Sequence, residues 1–176
     1  MNKKKKGQIW VETVIYTLIG LAVIGILLAA AKPKIDEMRD KLVVEQTIES
    51  MNAIDEKIGE VYNNGPGNKR VLDVKVSRGK LVLNASNDEI YWTLDSDYEY
   101  SELDTVVPIG GNLYVLTTTG NPWEVRLSMD YSFDLRYKDS QDKKEIDEAA
   151  IPYVLNVENM GIDDVSGEIV VDLSVS

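Results

Sequence analysis

The chain contains no cysteine and no histidine. Without cysteine there is no disulfide framework and no thiol nucleophile. Without either residue there is no zinc site of the usual kind and no imidazole base. A Ser-His-Asp triad is therefore ruled out, and no glycine-rich phosphate loop is present. Positive charge is also scarce, with 19 Lys and Arg against 30 Asp and Glu, for a net charge of −11. That charge is unevenly distributed. Residues 1–34 hold six lysines against Glu12 alone, a balance of +5, and the remaining 13 bases face 29 acids, a balance of −16. A body so acidic repels polyanions, so nucleic acid is not an expected partner. Composition thus points away from an enzyme, a cofactor or a metal site, and catalytic residues are expected to be absent.

What is present begins at the N-terminus. Lys3, Lys4, Lys5 and Lys6 form a basic block, followed by Gly7, Gln8, Ile9, Trp10, Val11 and Glu12. Residues 13–31 then carry no charge for 19 positions. At 1.5 Å per residue such a helix spans roughly 28 Å, close to the thickness of a bilayer's hydrocarbon core. Lysines before an apolar run stay on the cytoplasmic side. Two readings follow from these features alone. One is a secretory signal cut at Ala29-Ala30-Ala31, although the apolar run exceeds the ordinary length and an acid stands near its start. The other is a single-pass anchor carrying a cell-surface binding domain. In that case Glu12 needs a partner or a polar boundary.

The run Lys-Lys-Lys-Lys-Gly-Gln-Ile-Trp-Val-Glu, read together with the apolar helix behind it, resembles the class III signal peptide of type IV pilins and archaeal pilin-like proteins. The resemblance implies a leader of residues 1–7, removed between Gly7 and Gln8 by a membrane-embedded prepilin peptidase. Gln8 becomes the first mature residue and Glu12 the fifth. The helix is retained, and the protein moves from the membrane into an extracellular filament of like subunits, with adhesion as the expected purpose. Membrane lipid, the peptidase and other copies of the chain are the implied partners. Cleavage creates an ammonium group at Gln8, and Glu12 can compensate it on its own chain or on a neighbour. In an apolar medium that attraction is strong and an unpaired carboxylate costly, so Glu12 is expected to set the register of assembly.

Pro33 removes one helical hydrogen bond and crowds the carbonyl of Ala29, so a kink is expected there. Helical spacing then resumes through Ile35, Met38, Leu42, Ile48, Met51, Ile54, Ile58 and Tyr62. The turn Asn63-Asn64-Gly65-Pro66-Gly67-Asn68 ends it. The helix, membrane span and stem together, is thus expected over residues 8–62.

Beyond it the period changes to two. Strands are expected at 71–76, 80–84, 90–94, 112–118, 123–132, 133–137, 153–158 and 168–175, the first two as a hairpin across Ser77-Arg78-Gly79. Residues 138–150 read as a charged loop or short helix. The predicted fold is α+β, a long N-terminal helix followed by an antiparallel sheet or β-sandwich head over residues 63–176. Asn84-Ala85-Ser86 matches the N-glycosylation acceptor pattern, and Asn84 otherwise reads as a turn residue. Asp95, Asp97 and Glu99 alternate as on one face of a strand. They do not fit a calcium loop, because Tyr100 and Val106 stand where Gly and Glu belong, and a solvated acidic sheet edge is expected.

Overall fold

A computed structural model describes the backbone of residues 4–176 and the side chains of residues 10–176. The chain divides into two units, Met1–Arg39 and Asp40–Ser176. Helix α1 runs Lys4–Asn64 with Pro33 inside it, so it contributes to both units. Among the described residues ten strands follow: β1 (Lys69–Val74), β2 (Lys80–Asn84), β3 (Glu89–Ser96), β4 (Val106–Gly110), β5 (Leu113–Thr118), β6 (Trp123–Asp130), β7 (Asp134–Tyr137), β8 (Lys143–Asp147), β9 (Tyr153–Ile162) and β10 (Ile169–Val175). They form a four-stranded sheet in the order β1-β9-β10-β7 and a six-stranded sheet in the order β4-β5-β6-β3-β2-β8. The pairings are antiparallel except for the parallel pair β7 and β10. The α+β fold expected from the sequence is the fold observed.

The second unit is built around the C-terminal part of α1. Asp40, Val44, Thr47, Met51, Ile54, Ile58 and Val61 are all buried. Their spacing of four, three, four, three, four, three places them on one helical face. The apolar members join a core with Leu81, Ile90, Trp92, Leu113, Leu127, Leu135, Leu155, Val157 and Leu173 from both sheets. Met51, Ile54 and Ile58 are buried as expected, with Ile48 and Tyr62 packed partly buried against the core, but the earlier part of the expected stripe is not. Ile35, Met38 and Leu42 are exposed, at 61%, 73% and 52%, and Val44 and Val61 take places not assigned to them. The stripe that packs begins at Asp40, where polar contacts fix the helix. Asp40 accepts from the Arg78 guanidinium and, through Oδ2, from the Asp97 backbone N–H at 2.7 Å. The Arg78 carbonyl in turn accepts from Trp92 Nε1 at 2.9 Å. At the neighbouring Gly79, φ is +76° and a Cβ would lie 2.0 Å from the Thr93 carbonyl oxygen, so only glycine fits.

Those contacts explain why the expected hairpin does not form. The segment Ser77-Arg78-Gly79 carries the chain from one sheet to the other. Strand β1 pairs with β9, while β2 pairs with β3 and β8. Two strands were not anticipated. Strand β4 contains Pro108, which a sheet tolerates at an edge, where β4 lies. Strand β8 replaces the loop or short helix expected within residues 138–150. Only Ile146 of β8 is buried, and its acids pair across the ladder with Lys80, Glu145 at 2.7 Å and Asp147 at 3.4 Å. Asp95, Asp97 and Glu99 are exposed, but β3 ends at Ser96 and is an inner strand. They are therefore not the single-faced sheet edge expected, because the chain leaves the ladder to reach Asp40.

Asparagines close the helix. The last carbonyls of a helix lack internal donors; here asparagine amides reach Val61 O, Tyr62 O and Asn64 O, and two more add a second donor to Gly59 O and Glu60 O. Asn63 Nδ2 donates to Gly59 O at 2.8 Å, Asn64 Nδ2 to Glu60 O at 2.6 Å, and Asn68 Nδ2 to Asn64 O at 2.6 Å. Buried Asn159, far along the chain on β9, donates to Val61 O at 3.1 Å and Tyr62 O at 3.4 Å, while its Oδ1 accepts from Gly161 N at 2.9 Å. It ties the end of the helix to the sheet. The prediction is that Asn159→Ala, which strands these buried groups, destabilises the full chain by about 1–3 kcal/mol. Urea unfolding in detergent micelles measures this, and an unchanged midpoint contradicts it.

The β9–β10 turn is clasped by Asp163. Its carboxylate accepts from the Ser166 and Val165 N–H groups at 3.0 and 2.8 Å and from Arg136 at 2.8 Å. The Ser166 N–H, then Arg136, then the Val165 N–H hold its pKa at about 2, below the ordinary 3.8. Because the folded value is depressed, the stabilisation is complete above the ordinary value. It is lost as pH falls through the interval down to about 2. The expected outcome is that Asp163→Asn flattens this part of the pH–stability curve, measured by unfolding from pH 5 downward. A curve with the same slope as the wild type contradicts it.

Candidate membrane and assembly segment

Residues 10–35 of α1 are exposed at every position. They include Val14, Ile15, Leu18, Ile19, Leu21, Val23, Ile24, Ile26, Leu27 and Leu28, apolar side chains 38–69% exposed. Water does not favour such a surface. The same stretch contains the one segment, among the described residues, that is long and apolar enough to cross a membrane. Its helical form follows from the medium. In lipid every backbone N–H and C=O needs an internal partner, and a helix supplies them all. Gly20 and Gly25 lie within it, and a Cβ at either would meet open space.

Glu12 is exposed near the start of this segment, and among the described residues no hydrogen bond or ion pair reaches its carboxylate. Gly7 and Gln8 lie within α1, as do Lys4, Lys5 and Lys6, but their side chains fall outside the described ones, as does Lys3 altogether. Pro33 falls just beyond the charge-free run, inside the helical assignment. The sequence expectations therefore converge on one helix. It carries Gly7, Gln8, Glu12 and Pro33 in order, with the acid one turn beyond Gln8.

Asn84 is separate from this helix. It ends β2, is half-buried, and pairs with Glu89 of β3 and Lys143 of β8. Ser86 of the same pattern is exposed, and its hydroxyl donates to Gln141 O at 2.7 Å.

In the second unit, the groups displaced from their ordinary pKa belong to structural contacts. Burial, and then the Asp55 carboxylate, hold the Tyr131 phenol well above its usual value; its hydroxyl donates to Asp55 Oδ1 at 3.1 Å. Asp134, and then Asp163, hold the Arg136 guanidinium above its usual range. Lys80, and then Lys143, draw Glu145 down to about 2. Sequence reasoning did not single out any of these groups: Asp134 and Lys143 are near neighbours of Arg136 and Glu145, but Asp55, Asp163 and Lys80 come to their partners from far along the chain. No family model, no curated protein and no solved structure matches this chain.

An arginine at the middle of the exposed segment gives a direct test of its solvent. Ala22→Arg should disfavour insertion by about 2.5–3.5 kcal/mol. The measurement is the fraction of chain that resists alkaline extraction from membranes. An unchanged fraction contradicts membrane residence.

Proposed function

We propose that this chain is a type IV pilin-like structural subunit. It enters the membrane as a precursor, loses residues 1–7, and is assembled into a surface filament used for adhesion. The observation that carries this reading is the coincidence, on one helix, of the Gly7–Gln8 junction, Glu12 at the fifth position after it, and a charge-free run left uncovered by the chain's own fold. A plain membrane anchor accounts for the uncovered run. It does not account for an acid at that spacing from a Gly-Gln junction behind four lysines.

In the filament the apolar helices form the interior and the acidic β-rich domains face outward. Moving a helix from lipid to protein gains packing rather than hydrophobic burial, so cohesion comes from close lateral contact. The new ammonium group at Gln8 and the Glu12 carboxylate attract one another strongly in that medium, which selects one axial offset between neighbours.

The test is the mature N-terminus. Protein purified from cells should begin at Gln8, and Gly7→Leu should leave Met1 or Asn2 in place. Retention of the lysine block in the wild type would instead identify an uncleaved single-pass surface protein. A new terminus after Ala31 would identify ordinary secretion. Glu12→Ala should leave cleavage intact and reduce filament yield as seen by electron microscopy, and normal filaments would remove its register role.

A further inference from the structure

We propose that the membrane-resident chain associates with a second copy of itself through one polar face of its helix, where Tyr16 of one copy donates a hydrogen bond to Glu12 of the other. The inference rests on membrane insertion, which the filament reading requires, and is independent of cleavage.

At 3.6 residues per turn, Glu12, Thr13, Tyr16, Thr17 and Gly20 fall within an arc of about 140°. Between residues 12 and 21 these are all the residues that bear side-chain heteroatoms, together with a glycine. Val14, Ile15, Leu18, Ile19 and Leu21 occupy the remainder. In lipid, polar side chains and small residues favour contact with another helix over contact with acyl chains. Thr17 is satisfied within its own helix, since its hydroxyl donates to Thr13 O at 2.8 Å. The Tyr16 hydroxyl is not, because its side chain is 73% exposed and no hydrogen bond reaches it among the described residues. The face therefore presents an acceptor, Glu12, and a donor, Tyr16, each without a partner among the described residues.

The occupant follows from orientation. The lysine block fixes which way each copy is threaded, so neighbouring copies are parallel and place Glu12 and Tyr16 at the same depths. Helical side chains lean toward the N-terminus and cover the preceding turn. The Tyr16 phenol thus reaches back toward the level of residue 12, where an unshifted neighbour presents its carboxylate. A second copy supplies donor and acceptor at matching heights, and lipid tails supply neither. At Gly20, one turn further on, the absence of a side chain allows the two backbones to approach.

The test uses the full chain with Gly7→Leu, so that its terminus is constant, in membranes verified by alkaline extraction. The natural chain has no cysteine, so a single introduced one reports only contact between copies. Under mild oxidation Ile24→Cys and Leu27→Cys, both in the arc of the polar face, should form disulfide-linked dimers. Leu18→Cys, on the opposite side, should not. Adding Tyr16→Phe, which removes only the hydroxyl, should lower dimer yield at Leu27→Cys by roughly three- to twentyfold, the range of hydrogen bonds between membrane helices. Glu12→Ala should lower it similarly, and the double substitution should do no more than either alone. Equal crosslinking from both faces would overturn the docking face. Face-specific crosslinking indifferent to Tyr16→Phe would overturn the hydrogen bond. Neither failure touches the filament reading, which is scored on the terminus of the wild-type chain.

Discussion

Nineteen consecutive uncharged residues that nothing in the folded chain covers form the constraint on which the rest depends. An exposed apolar surface of that length is tolerated only when lipid or another protein removes it from water. A membrane is one such cover, and a hydrocarbon core demands a helix, which this segment is. It also makes an acid within one turn of the span conspicuous, because a carboxylate there needs a boundary or a partner. The opposite charges of the two regions fit the same constraint. Lysines before an apolar run favour the cytoplasmic side of a bilayer, and the acidic charge of the remainder favours water.

The second unit shows how one helix serves two environments. From Trp10 to Ile35 its side chains are exposed. From Asp40 a buried stripe of four-three spacing joins both sheets, and the junction is marked by a buried carboxylate satisfied by Arg78 and the Asp97 N–H. At the other end, asparagine amides reach the terminal carbonyls of Val61, Tyr62 and Asn64, the first two from Asn159 of β9. The helix is thus held at both ends of its packed portion by polar groups of fixed geometry, with apolar packing between. That arrangement defines its placement within the unit more sharply than a uniformly apolar stripe would, since a sliding stripe would strand Asp40 and Asn159 without partners.

Much of this was legible in the sequence, for local reasons. The glycines and asparagines after Tyr62 end a helix whatever surrounds it, and α1 stops at Asn64. Strands such as β3 and β5 alternate in periods that need no partner to be recognised. The failures share a cause in long-range pairing. Strand β8 is charged along most of its length and becomes a strand because Lys80 lies opposite its acids. Strand β4 carries a proline that only an edge position allows. Strands β1 and β2 have the pattern of a hairpin, yet Asp40 and Trp92 capture the segment between them. The stem's packing face was visible at Met51, Ile54 and Ile58, but not where it begins. Ile35 and Met38 have the same spacing yet precede Asp40, and Leu42 falls off the buried stripe. In the candidate assembly segment, Gly7, Gln8, Glu12 and Pro33 were readable because their meaning lies in mutual spacing. Tyr16 was passed over, because its significance depends on which helical face it shares with Glu12.

The most direct measurement of the central claim is site-specific labelling of this naturally cysteine-free chain in intact cells with a membrane-impermeant maleimide. One cysteine replaces Leu21 within the uncovered run, and another replaces Val165, which is 97% exposed at the β9–β10 turn. The account predicts rapid labelling at 165 and none at 21 until the membrane is dissolved and the protein denatured. Labelling at 21 in intact cells, or protection at 165 until the cells are lysed, would contradict it.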